Sequence, residues 1–557
     1  MRGVIRRDWR LILVIFLAAL AVRLIYMGTM TDSPVFDAPM MDAQVHMDWA
    51  WDIAQLTFLG NPAPYFRAPL YPYFLSPFFT DLSIGLWGGD ADRAFFYGAR
   101  LLQFFMGALS CVMVYLLARL LRNRTAGLIA ALMATFYWVF IFFEGEFVMP
   151  VLIVFLNLLG FLFLWQAMGD GRLRTFLAAG VLFGLSTITR PNILVFFPFL
   201  LLWIVFAQAR ETRRRAVRQA LVLAAGIVVC IAPVTARNYF HGHDLVLISS
   251  QAGVNFYIGN NPQSDGITAV VPGTSSDWWG GYHQTIQIAS EDSGRPLKAS
   301  EVSRYWFKRG LRYLAEEPGD ALDLYRRKLQ LLFDTTEISN NIDIHYFRNI
   351  SGFLGLPIFV STAVVFPLGL AGMIFGRRDR FWLLLTAFVV LYMLSFVPFF
   401  ITTRYRVPAS PFLMVLAGLW LESLRGLWRA DRQGRAILQA GGCVTLFLIF
   451  MVTASPLPPN ADPSQPSQGM YTAGLAHYRK GEFAEAVPLL ERTRVVPWIR
   501  VGSLLFLGDI YLKQGRDDLA VQRFGEALAL DPNTRAQVGQ MLESTGRTDL
   551  KERLGFP

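Results

Sequence analysis

Charge is scarce in this sequence. Asp, Glu, Lys and Arg make up 17% of its 557 residues, against 54% hydrophobic types. A water-soluble protein carries about a quarter of its residues as charges. The composition therefore excludes an ordinary soluble enzyme and points to a bilayer as the main solvent. Cysteine is scarcer still. Cys111, Cys230 and Cys443 each sit in an apolar stretch without CxxC spacing, which supports neither a disulfide framework nor a thiolate metal site. The formal net charge of +10 resembles the footprint of a nucleic-acid binder. The arginines, however, cluster in short connections between apolar runs, where cytoplasmic loops place them. Nucleic acid is not an expected partner.

What is present in abundance is membrane-crossing length. Apolar windows long enough to span a bilayer fall at about 9–27, 96–118, 126–143, 147–168, 174–189, 192–208, 219–236, 351–375, 381–400, 405–421 and 436–453. They predict an all-α polytopic bundle of about 11 transmembrane helices. The first run, Leu11 to Met27 after Arg6, Arg7 and Arg10, is long for a signal peptide and lacks a cleavage site, so an uncleaved first helix is expected.

With the N-terminus cytoplasmic, every even-numbered connection is arginine-rich, as the positive-inside rule requires. These connections carry Arg119, Arg122 and Arg124, then Arg172 and Arg174, then Arg210, Arg213, Arg214, Arg215 and Arg218. Arg377, Arg378 and Arg380 follow, and finally Arg425, Arg429, Arg432 and Arg435. The opposite face receives two large loops, 28–95 and 237–350, and everything after 454. The expected organisation is a membrane domain over 1–453, a Pro/Ser-rich linker over 454–468 and a repeat domain over 469–557.

The repeat domain is read from its period. Gly474 recurs as Gly508, Gly481 as Gly515, Ala486 as Ala520 and Leu490 as Phe524, each 34 residues on. That is the period and the small-residue pattern of tetratricopeptide helix pairs, with Pro532 closing the second unit. Gly539 and Gly546 keep the internal spacing of seven and suggest a degenerate capping unit. Such repeats present concave surfaces, so docking of a protein partner on the extracytoplasmic side is expected, with a stabilising cap or self-association as the plainer role.

The informative charges lie near the outer membrane face. Asp42 and His46 are four residues apart and share one helical face with Ala50. Arg67 opens a proline-broken aromatic stretch that would lie along the membrane surface. Glu144 and Glu146 fall in a short turn between two apolar helices, at a depth where ionisable groups are costly and mark function. Arg190, in Thr189 to Asn192, fits a helix-end arginine snorkelling to headgroups. Arg404 and Arg406 flank Tyr405 on the side where the acids lie. Separated carboxylates and guanidiniums of this kind suit a phosphate-bearing lipid whose head reacts at the outer face.

These stretches resemble GT-C glycosyltransferases. The residues that carry the resemblance are Asp42 to Ala50, Arg67 to Pro72, the Glu144 and Glu146 pair, Thr189 to Pro191, Arg237 to Tyr239, Asn255 to Pro262 and Arg404 to Pro411. It covers about residues 8–453 and is closest to the protein mannosyltransferase and aminoarabinose transferase branch, glycosyltransferase family 39. The resemblance implies inverting transfer of a sugar from a polyprenyl-phosphate carrier to a protein, lipid or glycan acceptor on the outer face. It implies Asp42 as the base that takes the acceptor proton. Arg67, Arg404 and Arg406 would hold the lipid phosphate. Glu144 or Glu146 would hold acceptor or a divalent cation. Two departures stand out: His46 replaces a common aromatic, and Arg67 stands where kin often carry lysine. No metal or other cofactor is therefore asserted, and His46 stays open as a ligand or a merely polar residue. His241, His243 and His283 lack ligand spacing and are expected at the surface.

In the long loop, Trp278, Trp279, Tyr282, Trp306 and Tyr313 suit sugar stacking and a small domain core equally well. Two other function classes compete: a transporter or flippase of lipid-linked sugars, and a scaffold recruiting envelope proteins through its tail. The first predicts internal repeats and mid-membrane charges, and no duplicated half is visible. The second leaves the outer carboxylates without a purpose. The expected location is the inner (plasma) membrane, with the tail periplasmic.

Overall fold

The computed structural model describes residues 1–207, 212–274, 278–376, 379–452, 457–458 and 462–556. Arg210, Arg377, Arg378 and much of the 454–468 linker lie outside the described residues, as do the side chains of Trp278 and Trp279. Among the described residues the chain is helical without strands, with one isolated bridge between Tyr137 and Val360.

Among the described residues, six helices are long and apolar enough, by length and composition, to cross a membrane. They are Arg2–Met30, Ala91–Leu121, Pro150–Asp170, Arg213–Phe240, Thr403–Arg429 and Gln433–Val452. Shorter apolar helices occupy the other expected windows: Arg124–Phe136, Leu173–Thr189, Pro191–Phe206, Thr362–Phe375 and Arg380–Leu394. The protein is a multi-pass membrane protein, with six rather than eleven helices meeting the spanning criterion by themselves. One expected span, 126–143, is broken. Tyr137 is extended, and the backbone groups freed there are taken up by Val360, which donates to the Phe136 carbonyl (2.8 Å) and accepts from Trp138 N–H (3.2 Å). A helix break at membrane depth persists only when another protein segment satisfies it in this way.

Helices that cannot gain from a water-driven hydrophobic effect pack through small residues. Leu173–Thr189 lies so close to Arg213–Phe240 that a Cβ on Gly180 would run into the Leu223 carbonyl, and one on Gly226 into that of Leu177. Beside this crossing, Phe161 packs on Phe183, Phe388 and Phe412 at centroid distances of 5.4, 5.0 and 4.7 Å.

The chain divides into two compact units. The first comprises Met1–Gly28, Val45–Asn340 and Leu354–Ser455. The second comprises Thr29–Gln44, Asn341–Phe353 and Pro456–Pro557, so it joins the repeats to one segment from each large loop. Its helix pairs follow the sequence period: Ser467–Lys480 with Phe483–Thr493, and Arg500–Lys513 with Asp517–Leu530. Gly481 and Gly515 end the first helix of each pair at φ 76° and 70°, the left-handed cap glycine supplies. Gly474 makes room for Leu490, and Gly508 for Phe524.

Candidate functional site

The acids near 144–146 do not share a role. Glu144 is in the last turn of helix Trp138–Gly145, buried, and faces into the bundle. Its carboxylate takes a two-pronged hydrogen bond from Arg23, with Nε at 2.6 Å and Nη2 at 3.0 Å. Arg23 comes from the last third of the first membrane helix, Arg2–Met30, and is fully buried. The carboxylate rests on Gly107, where any Cβ would collide with it. Glu146, in the turn that follows, is half-buried. Burial pushes this carboxyl up to about 7, against the pull of the Arg100 charge.

The turn itself is gripped at each backbone carbonyl. Gln103 donates to the carbonyls of Glu144 (3.0 Å) and Glu146 (3.2 Å), and Arg100 Nε donates to that of Gly145 (2.8 Å). His46 Nδ1 lies 3.0 Å from the carbonyl of Phe147. A carbonyl only accepts, so Nδ1 carries a proton and donates to it. His46 is buried, edge-on to Tyr71 at 5.0 Å, and the Tyr71 hydroxyl donates to Gln103 (2.6 Å). His46, Tyr71, Gln103 and the 144–147 turn thus form one connected polar network inside the membrane unit. Arg67, half-buried three residues before helix Leu70–Leu75, follows Tyr65 and Phe66, whose carbonyls accept from the backbone of Ser250 (3.0 Å) and Gln251 (3.2 Å). The long loop therefore fixes the strand of chain that carries Arg67.

A second group forms around Tyr405. The Arg190 guanidinium lies 3.7 Å over the Tyr405 ring and 5.0 Å from Phe396. Arg404 approaches the same tyrosine ring at 5.2 Å. Two guanidiniums therefore share one aromatic platform, and Asn192 accepts from Arg190 Nε at 3.3 Å. Arg190 is not the isolated helix-end arginine its sequence position suggests. Arg406, one residue past Tyr405, turns the other way. Its donors reach the carbonyls of Asp334 (2.5 Å) and Thr336 (2.9 Å) and the side chains of Glu337 (3.2 Å) and Thr403 (3.1 Å).

The approach to Arg404 is held by the long loop. Asn260 donates to the Pro398 carbonyl (2.6 Å), and Gly259 packs so tightly on Phe399 that no side chain fits there. Lys328 is fully buried behind this motif and donates to the Gly259 carbonyl (2.5 Å). Burial pushes its amine down to about 7 from 10.5. The unfolded chain then binds more protons than the folded one between these values, so stability should rise with pH across that window. The unfolding midpoint of purified protein is expected to climb from pH 7 to pH 9, and Lys328→Met is expected to flatten the slope.

Asp42 is the first residue of helix Asp42–Gln55, buried, and belongs to the second unit. Of the long-loop aromatics, Trp306 is buried and donates to the Thr285 carbonyl (3.0 Å), and Tyr313 packs with Ala321 and Leu324, so both build the loop's own core. Arg237 donates to the carbonyls of Leu59 (2.6 Å) and Asn61 (2.5 Å) and lies 4.0 Å over Tyr65. It staples the first loop to the last turn of its helix. Among the described residues, no three His, Cys, Asp or Glu side chains are grouped so as to hold a metal ion.

Arg23, Arg100 and Gln103 were not singled out by sequence patterning. The available signal was their polarity inside apolar runs, which marks a buried partner.

A family model described as dolichyl-phosphate-mannose-protein mannosyltransferase matches residues 69–236, and a tetratricopeptide repeat model matches 503–536. No curated protein matches the chain. Among solved structures, the archaeal oligosaccharyltransferase AglB from Archaeoglobus fulgidus, in complex with an inhibitory peptide and a dolichol-phosphate, aligns with 85% of this chain and 58% of its own. Its identity is 14% and its TM-score 0.41. The apo form of the Archaeoglobus fulgidus oligosaccharyltransferase aligns with 83% of this chain and 58% of its own, at 14% identity and TM-score 0.36. The chain thus spans less than two thirds of the length of these structures.

Proposed function

We propose that the protein is an inverting glycosyltransferase that moves a sugar from a polyprenyl-phosphate carrier to an acceptor at the extracytoplasmic face of the inner membrane. The observation that carries this reading is the pair of guanidiniums, Arg190 and Arg404, gathered on Tyr405. The match of residues 69–236 to a mannosyltransferase model supports it. In this reaction the acceptor hydroxyl gives its proton to Asp42 as its oxygen attacks the anomeric carbon. The bond from that carbon to the phosphate oxygen breaks, and the departing lipid phosphate takes up negative charge. Arg67, Arg404 and Arg190 stabilise that charge, through hydrogen bonds strengthened by a dry surrounding. Arg406 serves the same site from behind, by holding the 334–337 segment against Thr403. Glu146, with its raised carboxyl, is the acid we place at the acceptor; Glu144 and His46 keep the turn beneath it in shape. The repeat unit contains segments of both large loops, which supports placing the tail on the face of those loops.

A charge-assisted hydrogen bond is worth about 1.5–3 kcal/mol, so Arg404→Ala and Arg190→Ala are each expected to raise KM for the lipid donor by about 10- to 100-fold. Steady-state transfer at varied donor concentration checks this. Unchanged donor KM in both variants would contradict a phosphate site at Tyr405.

A further inference from the structure

The tail has a partner within its own chain. Lys480, in the last turn of the first repeat helix, forms an ion pair with Asp37 (3.2 Å). Its neighbour Arg479 donates to the Pro39 carbonyl (3.3 Å). On either side of these anchors the first-loop segment folds as turns, Phe36 N–H to Ser33 O (3.0 Å) and Ala43 N–H to Met40 O (3.2 Å), with Val35, Phe36 and Met40 buried. The second large loop is held by the same helix. Gly469 leaves room for the Tyr346 ring, and the Asp343 carboxylate that caps helix Ile344–Ser351 also accepts from the Gly469 backbone.

A second observation, independent of these contacts, concerns the turn itself. Met41 has φ 54°. A long side chain rarely adopts that left-handed conformation, and it persists only where the surroundings impose it. Met41 immediately precedes Asp42, and the imposed geometry sets where helix Asp42–Gln55 begins. The tail's two cations hold the segment two and four residues before Met41.

We propose that the tetratricopeptide tail is an intramolecular clamp: Arg479 and Lys480 hold the Asp37–Met41 turn and thereby set the working position of Asp42. The functional half of this inference rests on the glycosyltransferase reading; the clamp itself does not. Arg479 and Lys480 are positioning residues, since they touch the turn and not the reacting atoms.

The test uses the full-length protein in detergent or lipid, as wild type, Lys480→Asp, and the reciprocal Asp37→Lys/Lys480→Asp. Amide exchange is followed in peptides covering 31–44. Lys480→Asp is expected to speed exchange there and to lower kcat about three- to fivefold with donor KM unchanged, since the pair is half exposed and individually weak. The reciprocal variant restores both. Unaltered exchange at 31–44 in Lys480→Asp overturns the clamp, whatever the activity. Altered exchange with unchanged kcat overturns its role in setting Asp42. If wild type transfers no sugar while exchange responds as expected, the clamp stands and the glycosyltransferase reading alone falls.

Discussion

Replacing Arg23 with alanine is expected to cost about 3–5 kcal/mol of stability, enough to remove most folded protein from the membrane fraction. The figure is the cost of stranding one member of a buried ion pair. Here the stranded member is Glu144, whose surroundings are Gly107, Phe140, Phe143 and the start of helix Pro150–Asp170. Glu144→Leu strands Arg23 in the same way and should cost about as much. The double variant Arg23→Met/Glu144→Leu is expected to recover most of the loss, because two apolar side chains satisfy each other without desolvating a charge. Unfolding of the three variants in detergent checks the coupling. The double variant should also retain sugar transfer, which assigns Glu144 to the fold. Loss of transfer in a well-folded double variant would return Glu144 to the reaction.

Asp42→Asn is expected to lower kcat by about 10²–10⁴-fold, the usual contribution of a positioned base, with little change in donor KM. Asparagine keeps the shape and the helix-opening position but cannot take a proton. Single-turnover transfer in purified protein separates this from a binding defect. Full retention of transfer removes Asp42 from the role of base.

How much of this was legible in the sequence differs by feature. The membrane helices were, because a bilayer demands long apolar runs and each expected window holds a helix. The repeats were, because helix pairs that stack need small residues at a fixed period, and Gly474, Gly481, Gly508 and Gly515 occupy the close approaches and caps that period requires. The break at Tyr137 was not, since its compensating partner, Val360, is more than 200 residues away. Pairings were equally hidden. Arg23 and Glu144 are 121 residues apart, and an apolar window announces only that such a charge needs a partner, not which one. Arg406 beside Arg404 illustrates the same limit. The two look equivalent in sequence, yet one shares the Tyr405 platform and the other is spent on backbone carbonyls. The attachment of the tail to the Asp37 turn joins residues 443 positions apart and leaves no local pattern at all.

One measurement addresses the central claim most directly. Purified wild type is given a polyprenyl phosphate bearing a labelled sugar, together with a membrane extract as the source of acceptor. The expected result is loss of label from the lipid, its appearance on acceptor with inverted anomeric configuration, and release of polyprenyl phosphate in equal amount. Label that stays on the lipid, whether or not the lipid is moved across the bilayer, would contradict a transferase.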